Sequence, residues 1–297
     1  MALDLAEALL QTQALRIAPT GQVFWYTSGT VGPYYINTHY LFGGPEAAAV
    51  LLAFIDAEKG DTVRFPGALQ ARLEGHAAGD PVYAGVVDAL ARLVSTRTGA
   101  GYDAVSGGER RDWFFSPLVA ARLGKPHLWI AKDRTATWSH GAGTETAAGV
   151  AGPASGLAGQ RLVHVADLIT EASSYLRSWI PAIEQQGGRM VGAANVVDRA
   201  QGGAQALAGA GVPAVALLRV DEELFASLER AGHIDAAQKE GLLAYRRDPH
   251  AAMKSFLQEH PEFLRQALAS PEERTAGRAR TLVEQNPYGL ELDRLLD

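Results

Sequence analysis

Apolar positions along this chain recur with two periods, and the change from one to the other marks out its layers. Residues 3–13 carry apolar side chains at helical spacing and predict a short amphipathic helix. Val23 to Thr27 and Tyr34 to Asn37 read as two strands joined by the turn Ser28-Gly29-Thr30-Val31-Gly32-Pro33, where Gly and Pro supply the backbone angles of a tight reversal. Gly44-Pro45 opens a helix, because Pro is favoured at the first helical position, where its missing N–H costs nothing. Residues 60–80, rich in Gly and polar groups, read as a loop. Asp80 then caps, and Pro81 starts, a second helix running to about Val94.

From residue 102 short apolar runs take over. Tyr102 to Ser106 ends in Gly107-Gly108; a helical stretch from Ser116 to Leu123 stops at Gly124 and Pro126; His127 to Ala131 is the next run. Residues 133–160 are dominated by Gly, Ala, Ser and Thr and predict a long loop of the kind that often acts as a lid, with Trp138-Ser139-His140-Gly141 either in it or at its tip. Arg161 to Val165 is a strand, Ala166 to Ser174 a turn, and a helix follows to Gln186, capped by Gly187-Gly188. Met190 to Val197 is a strand, Gly203 to Leu207 a short helix and Val215 to Val220 a strand. Such alternation implies an α/β fold, a mostly parallel sheet flanked by helices with right-handed crossovers. After Asp221 the strands stop, and the rest reads as successive short helices punctuated by Asp248-Pro249, His260-Pro261 and Ser270-Pro271. The organisation expected is an α/β domain over 1–220, with a distinct N-terminal segment over 1–60, and a helical C-terminal extension over 221–297.

Composition narrows the functional classes. Hydrophobic residues make up 47% and charged residues 20%, as in ordinary globular proteins, which argues against disorder. The absence of cysteine removes thiol nucleophiles, disulfides and thiolate metal sites. A net charge of −6 argues against a general nucleic-acid binder. Asp4 and Glu7 stand where an export signal would be basic, and the apolar run Ala47 to Ile55 is about half of the roughly 20 residues a membrane span needs. A cytoplasmic protein is expected. No His-Glu-x-x-His, Gly-x-Ser-x-Gly or Gly-Lys-Ser/Thr motif occurs, and His164, on an apolar strand, reads as a core histidine.

Chemistry concentrates in Arg161-Leu-Val-His-Val-Ala-Asp-Leu-Ile-Thr-Glu-Ala-Ser-Ser174: a strand, then Asp167, then a small, hydroxyl-rich turn, then a helix. Such a turn can aim N–H groups and hydroxyls at a phosphate, at the strand ends where open parallel sheets bind ligands. The competing reading is an ordinary strand-to-helix loop with Thr170 or Ser173 as N-cap.

This segment resembles the phosphoribosyl-diphosphate (PRPP) motif of type I phosphoribosyltransferases. Further stretches are similar to one branch, the orotate phosphoribosyltransferases: Phe24-Trp-Tyr-Thr-Ser-Gly-Thr-Val-Gly-Pro-Tyr-Tyr-Ile-Asn37, which resembles the N-terminal substrate segment; Val105-Ser-Gly-Gly108; Gly124-Lys-Pro126; Ala131-Lys132-Asp133, which opens the flexible loop; and Val197-Asp198-Arg199 with Gly202-Gly203. The order holds from about residue 10 to about 225. Departures are Ala166 for the first acid of the motif, Glu171 and Ala172 in the phosphate turn, Thr27 for a lysine, Ala131 for a basic residue, and Glu109-Arg-Arg-Asp-Trp-Phe-Phe115 for a glycine-rich loop.

The resemblance implies transfer of phosphoribose from PRPP to orotate, giving orotidine 5′-phosphate and diphosphate with Mg²⁺, by a homodimer. By the same resemblance, Asp167 would hold the ribose hydroxyls and Lys132 would meet the diphosphate. Thr170, Ser173 and Ser174 would cradle the 5′-phosphate, while Arg110 and Arg111 would supply positive charge. Arg199 would face the base, and Tyr34, Tyr35 and Ser28 would line its pocket. No protein metal ligands are implied. The departures keep open a non-catalytic PRPP- or nucleotide-binding regulator and a transferase for another base. Other roles stand beside these: Lys132 as a solvated surface residue, Asp198-Arg199 as a strand-end ion pair, one of the two tyrosines in the core, and Arg110-Arg111 as a solvated turn or, beside Trp113-Phe114-Phe115, a partner surface.

Overall fold

In the computed structural model, residues 3–97, 101–139, 152–153 and 157–296 are described. The described strands, in chain order, are β1 (Leu15–Ile17), β2 (Phe24–Trp25), β3 (Val31–Gly32), β4 (Tyr34–Ile36), β5 (Ala104–Gly108), β6 (His127–Ile130), β7 (Ala136–Ser139), β8 (Gly152–Pro153), β9 (Arg161–Ile169), β10 (Arg189–Asp198) and β11 (Ala214–Arg219). The chain divides into two units, Met1–Ala14 with Asn37–Val220, and Leu15–Ile36 with Asp221–Asp297.

The first unit is built on a seven-stranded sheet of order β11-β10-β9-β5-β6-β7-β8. The five strands from β11 to β6 run parallel, and β7 and β8 are antiparallel additions at the edge. β5 and β6 are buried along their whole length, as expected of parallel strands covered on both faces. The core under the central strands includes Leu128, Ile130, Leu162, Ala166, Ile183 and Leu207.

β9 is longer than its apolar run predicted. Ala166, Leu168 and Ile169 still pair with Asn195, Val197 and Asp198 of β10, so Asp167 is a strand residue rather than the start of a turn. Residues 60–80 are also not a loop: Phe65–Gly79 is a helix. Phe65, Leu69, Leu73 and Ala77 recur every fourth residue and are buried. Gly67, Gly75 and Gly79 face open space. Each interior glycine costs the helix about 1 kcal/mol against alanine. Burying Leu69 and Leu73 completely returns roughly 1.5–3 kcal/mol apiece, which decides the outcome.

The loop expected over 133–160 contains a strand, because β7 folds back on β6 as a hairpin with Trp138 opposite Leu128. Ser139 is buried and accepts a hydrogen bond from Trp129 Nε1 at 2.8 Å. Residues 140–151 and 154–156 of that expected loop, His140 and Gly141 among them, lie outside the described residues.

The second unit combines β1–β4 with the C-terminal helices, of which Glu222–Arg230, Ala236–Arg247, Pro249–Glu259, Pro261–Leu268 and Glu273–Gln285 are the longest. The turn predicted at 28–33 includes β3, which pairs with β2, while β4 pairs with β1. Segment 15–36 groups with these helices rather than with the 1–220 domain in which the sequence reading placed it. Its aromatic side chains find their partners there. Trp25 stacks on Phe263 with centroids 5.3 Å apart, Tyr34 meets Tyr245 edge-on at 5.8 Å, and the Tyr288 hydroxyl accepts the Val31 N–H at 3.0 Å. Among the described residues no helix is long and apolar enough to cross a membrane.

Candidate functional site

At the carboxyl end of β9 the chain turns through Thr170-Glu171-Ala172-Ser173-Ser174 into a single π-helical turn, Tyr175–Trp179. The turn is anchored from β10: the Arg199 N–H donates to the Ile169 carbonyl and the Gly203 N–H to the Thr170 carbonyl, each at 2.9 Å. Gly203 must be glycine, since a Cβ there would lie 2.6 Å from both the Ile169 side chain and the Thr170 carbonyl. Ala172 has φ +61, the left-handed region that glycine enters freely. Alanine has therefore replaced the expected glycine without changing the glycine-like backbone.

On the neighbouring strand, β5 ends in Gly107-Gly108 and leads through Glu109-Arg110-Arg111 into a 3₁₀ turn, Asp112–Phe114. The Trp179 indole packs directly on Gly108, leaving no room for a Cβ. Between the two strand ends lies a pocket of about 510 Å³, lined by Glu109, Arg110, Arg111, Asp112, Lys132, the run 167–175 and Trp179.

The pocket gathers seven of the residues singled out from sequence: Asp167, Thr170, Ser173, Ser174, Arg110, Arg111 and Lys132. Arg199 follows β10 and is outside that lining. Ser28, Tyr34 and Tyr35 belong to the second unit. There Tyr34 is buried, Tyr35 donates its hydroxyl hydrogen to the Trp25 carbonyl, and Ser28 shares a 2.7 Å hydrogen bond with the Thr30 hydroxyl. Asp198 forms an ion pair at 3.7 Å with Arg219 of the adjacent strand.

Three contributors escaped the sequence reading. Asp112 is buried beside Asp167, and its Oδ1 accepts the Asp167 N–H at 3.1 Å while its Oδ2 accepts the Gly108 N–H at 2.9 Å. Asp112 thus clips together the two strand ends that form the pocket. Thr38 donates its hydroxyl to Asp167 Oδ2 at 2.7 Å. Lys59 reaches Glu109 at 2.8 Å and Asp56 at 3.0 Å. The one local hint was an acid, Asp112, heading an apolar Trp-Phe-Phe run. Thr38 and Lys59 are brought in by tertiary folding from distant parts of the chain.

Burial sets the protonation states here. It pushes both carboxyls up to about 7, and in Asp167 the nearby Asp112 charge adds to the effect. His164 Nε2 lies 3.4 Å from Asp112 and its Nδ1 3.0 Å from the Ser106 hydroxyl. Burial lowers that imidazole to about 3, so it is a neutral core group. Arg110 is tied to Asp56, whereas Lys132 has an exposed side chain and an N–H that donates to Glu109 Oε2 at 3.0 Å. Among the described residues no group of three His, Cys, Asp or Glu side chains could hold a metal ion.

No family model and no curated protein matches the sequence. Solved structures do. A Leishmania donovani UMP synthase superposes with a TM-score of 0.51 at 16% identity, covering 86% of this chain and 42% of that one. The α/β fold, a mostly parallel sheet flanked by helices, is similar to that structure over most of this chain. This chain spans less than half the length of that UMP synthase. A Francisella tularensis orotate phosphoribosyltransferase is similar at TM-score 0.49 and 14% identity, over 81% of this chain and 96% of its own. An orotate phosphoribosyltransferase of Mycobacterium tuberculosis in complex with PRPP gives 0.41 and 18%, over 73% and 96%. At 16% identity the likeness to the UMP synthase shows the fold alone.

Proposed function

We propose that this chain is a phosphoribosyltransferase that joins orotate to PRPP, forming orotidine 5′-phosphate and releasing diphosphate. The observation that carries this reading is the single pocket in which a strand-end carboxylate, a hydroxyl-rich turn at a strand-to-helix junction and an exposed lysine meet. In the reaction the base nitrogen forms a bond to the anomeric carbon as the bond to the diphosphate oxygen breaks. That oxygen leaves with the electron pair, and the proton on the base nitrogen passes to solvent. Positioning and neutralisation of the leaving group supply most of such catalysis.

The amides and hydroxyls of Thr170, Ser173 and Ser174 are assigned to the 5′-phosphate, on a turn whose Ala172 is in the left-handed region. Asp167 is assigned to the ribose hydroxyls, Lys132 and Arg111 to the diphosphate, and Arg199 to the carboxylate of the base, which suits a guanidinium fork. Four carboxylates and three cations line the pocket, so side chains alone do not balance a polyanion. This fits a requirement for Mg²⁺, which would be held chiefly by the diphosphate oxygens and would neutralise the leaving group. The same reading implies a homodimer, which sedimentation checks directly.

Glu171 in the phosphate turn favours a second reading, a binder of PRPP or a nucleotide without turnover. Consumption of orotate with PRPP and Mg²⁺, together with calorimetry of PRPP binding, separates the two. Turnover is expected in the parent protein and a loss of about 100-fold or more in Lys132→Ala and Asp167→Asn. Binding without turnover selects the second reading. Unchanged turnover in both variants refutes the site assignment.

A further inference from the structure

Lys59 stands outside every motif in the sequence, at the end of the helix Gly44–Glu58, yet its ammonium reaches the pocket wall. Its partner Glu109 lines the pocket and has a side chain only 7% exposed. Glu109 is fixed from three directions. Its own N–H donates to the Ile130 carbonyl at the end of β6 at 2.7 Å, its Oε1 meets Lys59 at 2.8 Å, and its Oε2 accepts the Lys132 N–H at 3.0 Å. Lys59 is itself steadied by Asp56, which also takes Arg110.

A buried carboxylate facing a polyanion site is a liability unless a cation sits on it. Here the carboxylate also anchors the backbone of Lys132, so it cannot be discarded without releasing that anchor. We propose that Lys59 is a positioning residue of the phosphate pocket, cancelling the charge of Glu109 while keeping it in place as the acceptor for the Lys132 amide. The proposal rests on the reading of the pocket as a PRPP and diphosphate site. It assigns Lys59 an action through Glu109, with no contact of its own to the ligand.

That indirectness gives the proposal a signature. In Lys59→Met the Glu109 charge is uncovered, and inorganic diphosphate should bind about five- to tenfold more weakly, an effect that shrinks as salt is added. Glu109→Gln keeps an oxygen for the Lys132 N–H and removes the charge, so its affinity should equal or exceed that of the parent. The double variant should bind like Glu109→Gln alone, and Lys59→Arg should stay within about twofold of the parent.

The measurement is calorimetric titration of inorganic diphosphate and of PRPP into the full chain at two salt concentrations, with thermal midpoints recorded for each variant. A loss in Lys59→Met that persists in the Glu109→Gln background shows direct contact and overturns the proposal. So does unchanged affinity in Lys59→Met beside a lowered thermal midpoint, which would leave the ion pair a purely structural role. A parent protein that binds neither ligand is a different result, and overturns the reading of the pocket itself along with this inference.

Discussion

Replacing Asp112 by Asn should make the protein lose stability faster, not slower, as the solution is acidified. Between pH 4.5 and 6 the folded chain keeps Asp112 and Asp167 protonated, since burial holds both up to about 7, while the unfolded chain ionises them. Over the same range it keeps His39 and His164 neutral at about 3, and burial keeps His127 well below the usual histidine range, while the unfolded chain protonates all three. The acids therefore favour folding at low pH, a contribution lost as pH rises from their ordinary values towards 7. The histidines favour folding at higher pH, a contribution lost as pH falls from about 6.5 towards 3. Each group is worth about 1.4 kcal/mol per pH unit, with opposite signs for the two kinds. Three histidines against two acids leave these five groups with a net slope of about 1.4 kcal/mol per unit, stability rising with pH. Asp112→Asn removes one opposing acid and should raise the slope to about 2.7 kcal/mol per unit. Urea unfolding followed by tryptophan fluorescence at half-unit steps from pH 4.5 to 6 measures both slopes; in their difference the groups that Asp112 does not influence cancel, and loss of its charge, which helps raise Asp167, steepens the variant's slope further. A difference of zero, or a shallower slope in the variant, would refute the assignment of a buried, protonated Asp112.

Other substitutions test other parts of the structure. Gly203→Ala should destabilise the fold by about 1–3 kcal/mol in urea unfolding, because the added methyl meets Ile169 and the Thr170 carbonyl at 2.6 Å, and it should weaken PRPP binding by displacing the turn. Ala172→Gly should be nearly neutral, since relief of about 1 kcal/mol of left-handed strain is set against a more flexible unfolded chain. A loss above about 2 kcal/mol there would contradict the φ of that residue. Leu69→Ala should cost about 2–5 kcal/mol, the value for a fully buried leucine and far above that for a loop residue. Diphosphate affinity of the parent should fall relative to that of Asp112→Asn as pH rises through 7, measured by calorimetry.

The parts of this fold that were legible share one property: their neighbours in sequence are their neighbours in space. β9 and β10 are buried on both faces and so are written as continuous apolar runs, which periodicity detects. The turn 170–174 is contiguous, and its hydroxyls announced it. The helix Phe65–Gly79 was hidden because its exposed face is glycine-rich, a face that packing does not constrain. β1, three residues long, carries too short a pattern to distinguish from a loop. In the site, Asp112, Thr38 and Lys59 act through partners far away in the chain. The bond from Thr38 to Asp167 spans 129 positions, and no local spacing can encode it. Segment 15–36 shows the same limit: its apolar positions are visible, but their partners, Phe263, Tyr245 and Tyr288, lie more than two hundred residues on.

An acidic chain proposed to bind a polyanion poses an electrostatic question that the pocket answers locally. By formal count the lining carries one more acid than base. Protonation changes that count, because Asp112 and Asp167 are held up to about 7 and are largely uncharged on the acid side of neutrality. Pairing changes it again, since Lys59 covers Glu109 and Asp56 takes Arg110. Of the charged lining groups, Glu171 on one side and Arg111 and Lys132 on the other are left to set the field a ligand meets, and all three are exposed. The balance is then one positive charge in place of one negative, reached without a basic patch. A net charge of −6 spread over the surface is screened within about 8–10 Å at physiological salt, so it opposes a bound phosphate far less than one uncovered carboxylate in the wall would. What would decide anion binding in this chain is which carboxylates are protonated or paired: burial holds Asp112 and Asp167 up to about 7, and Lys59 pairs with Glu109.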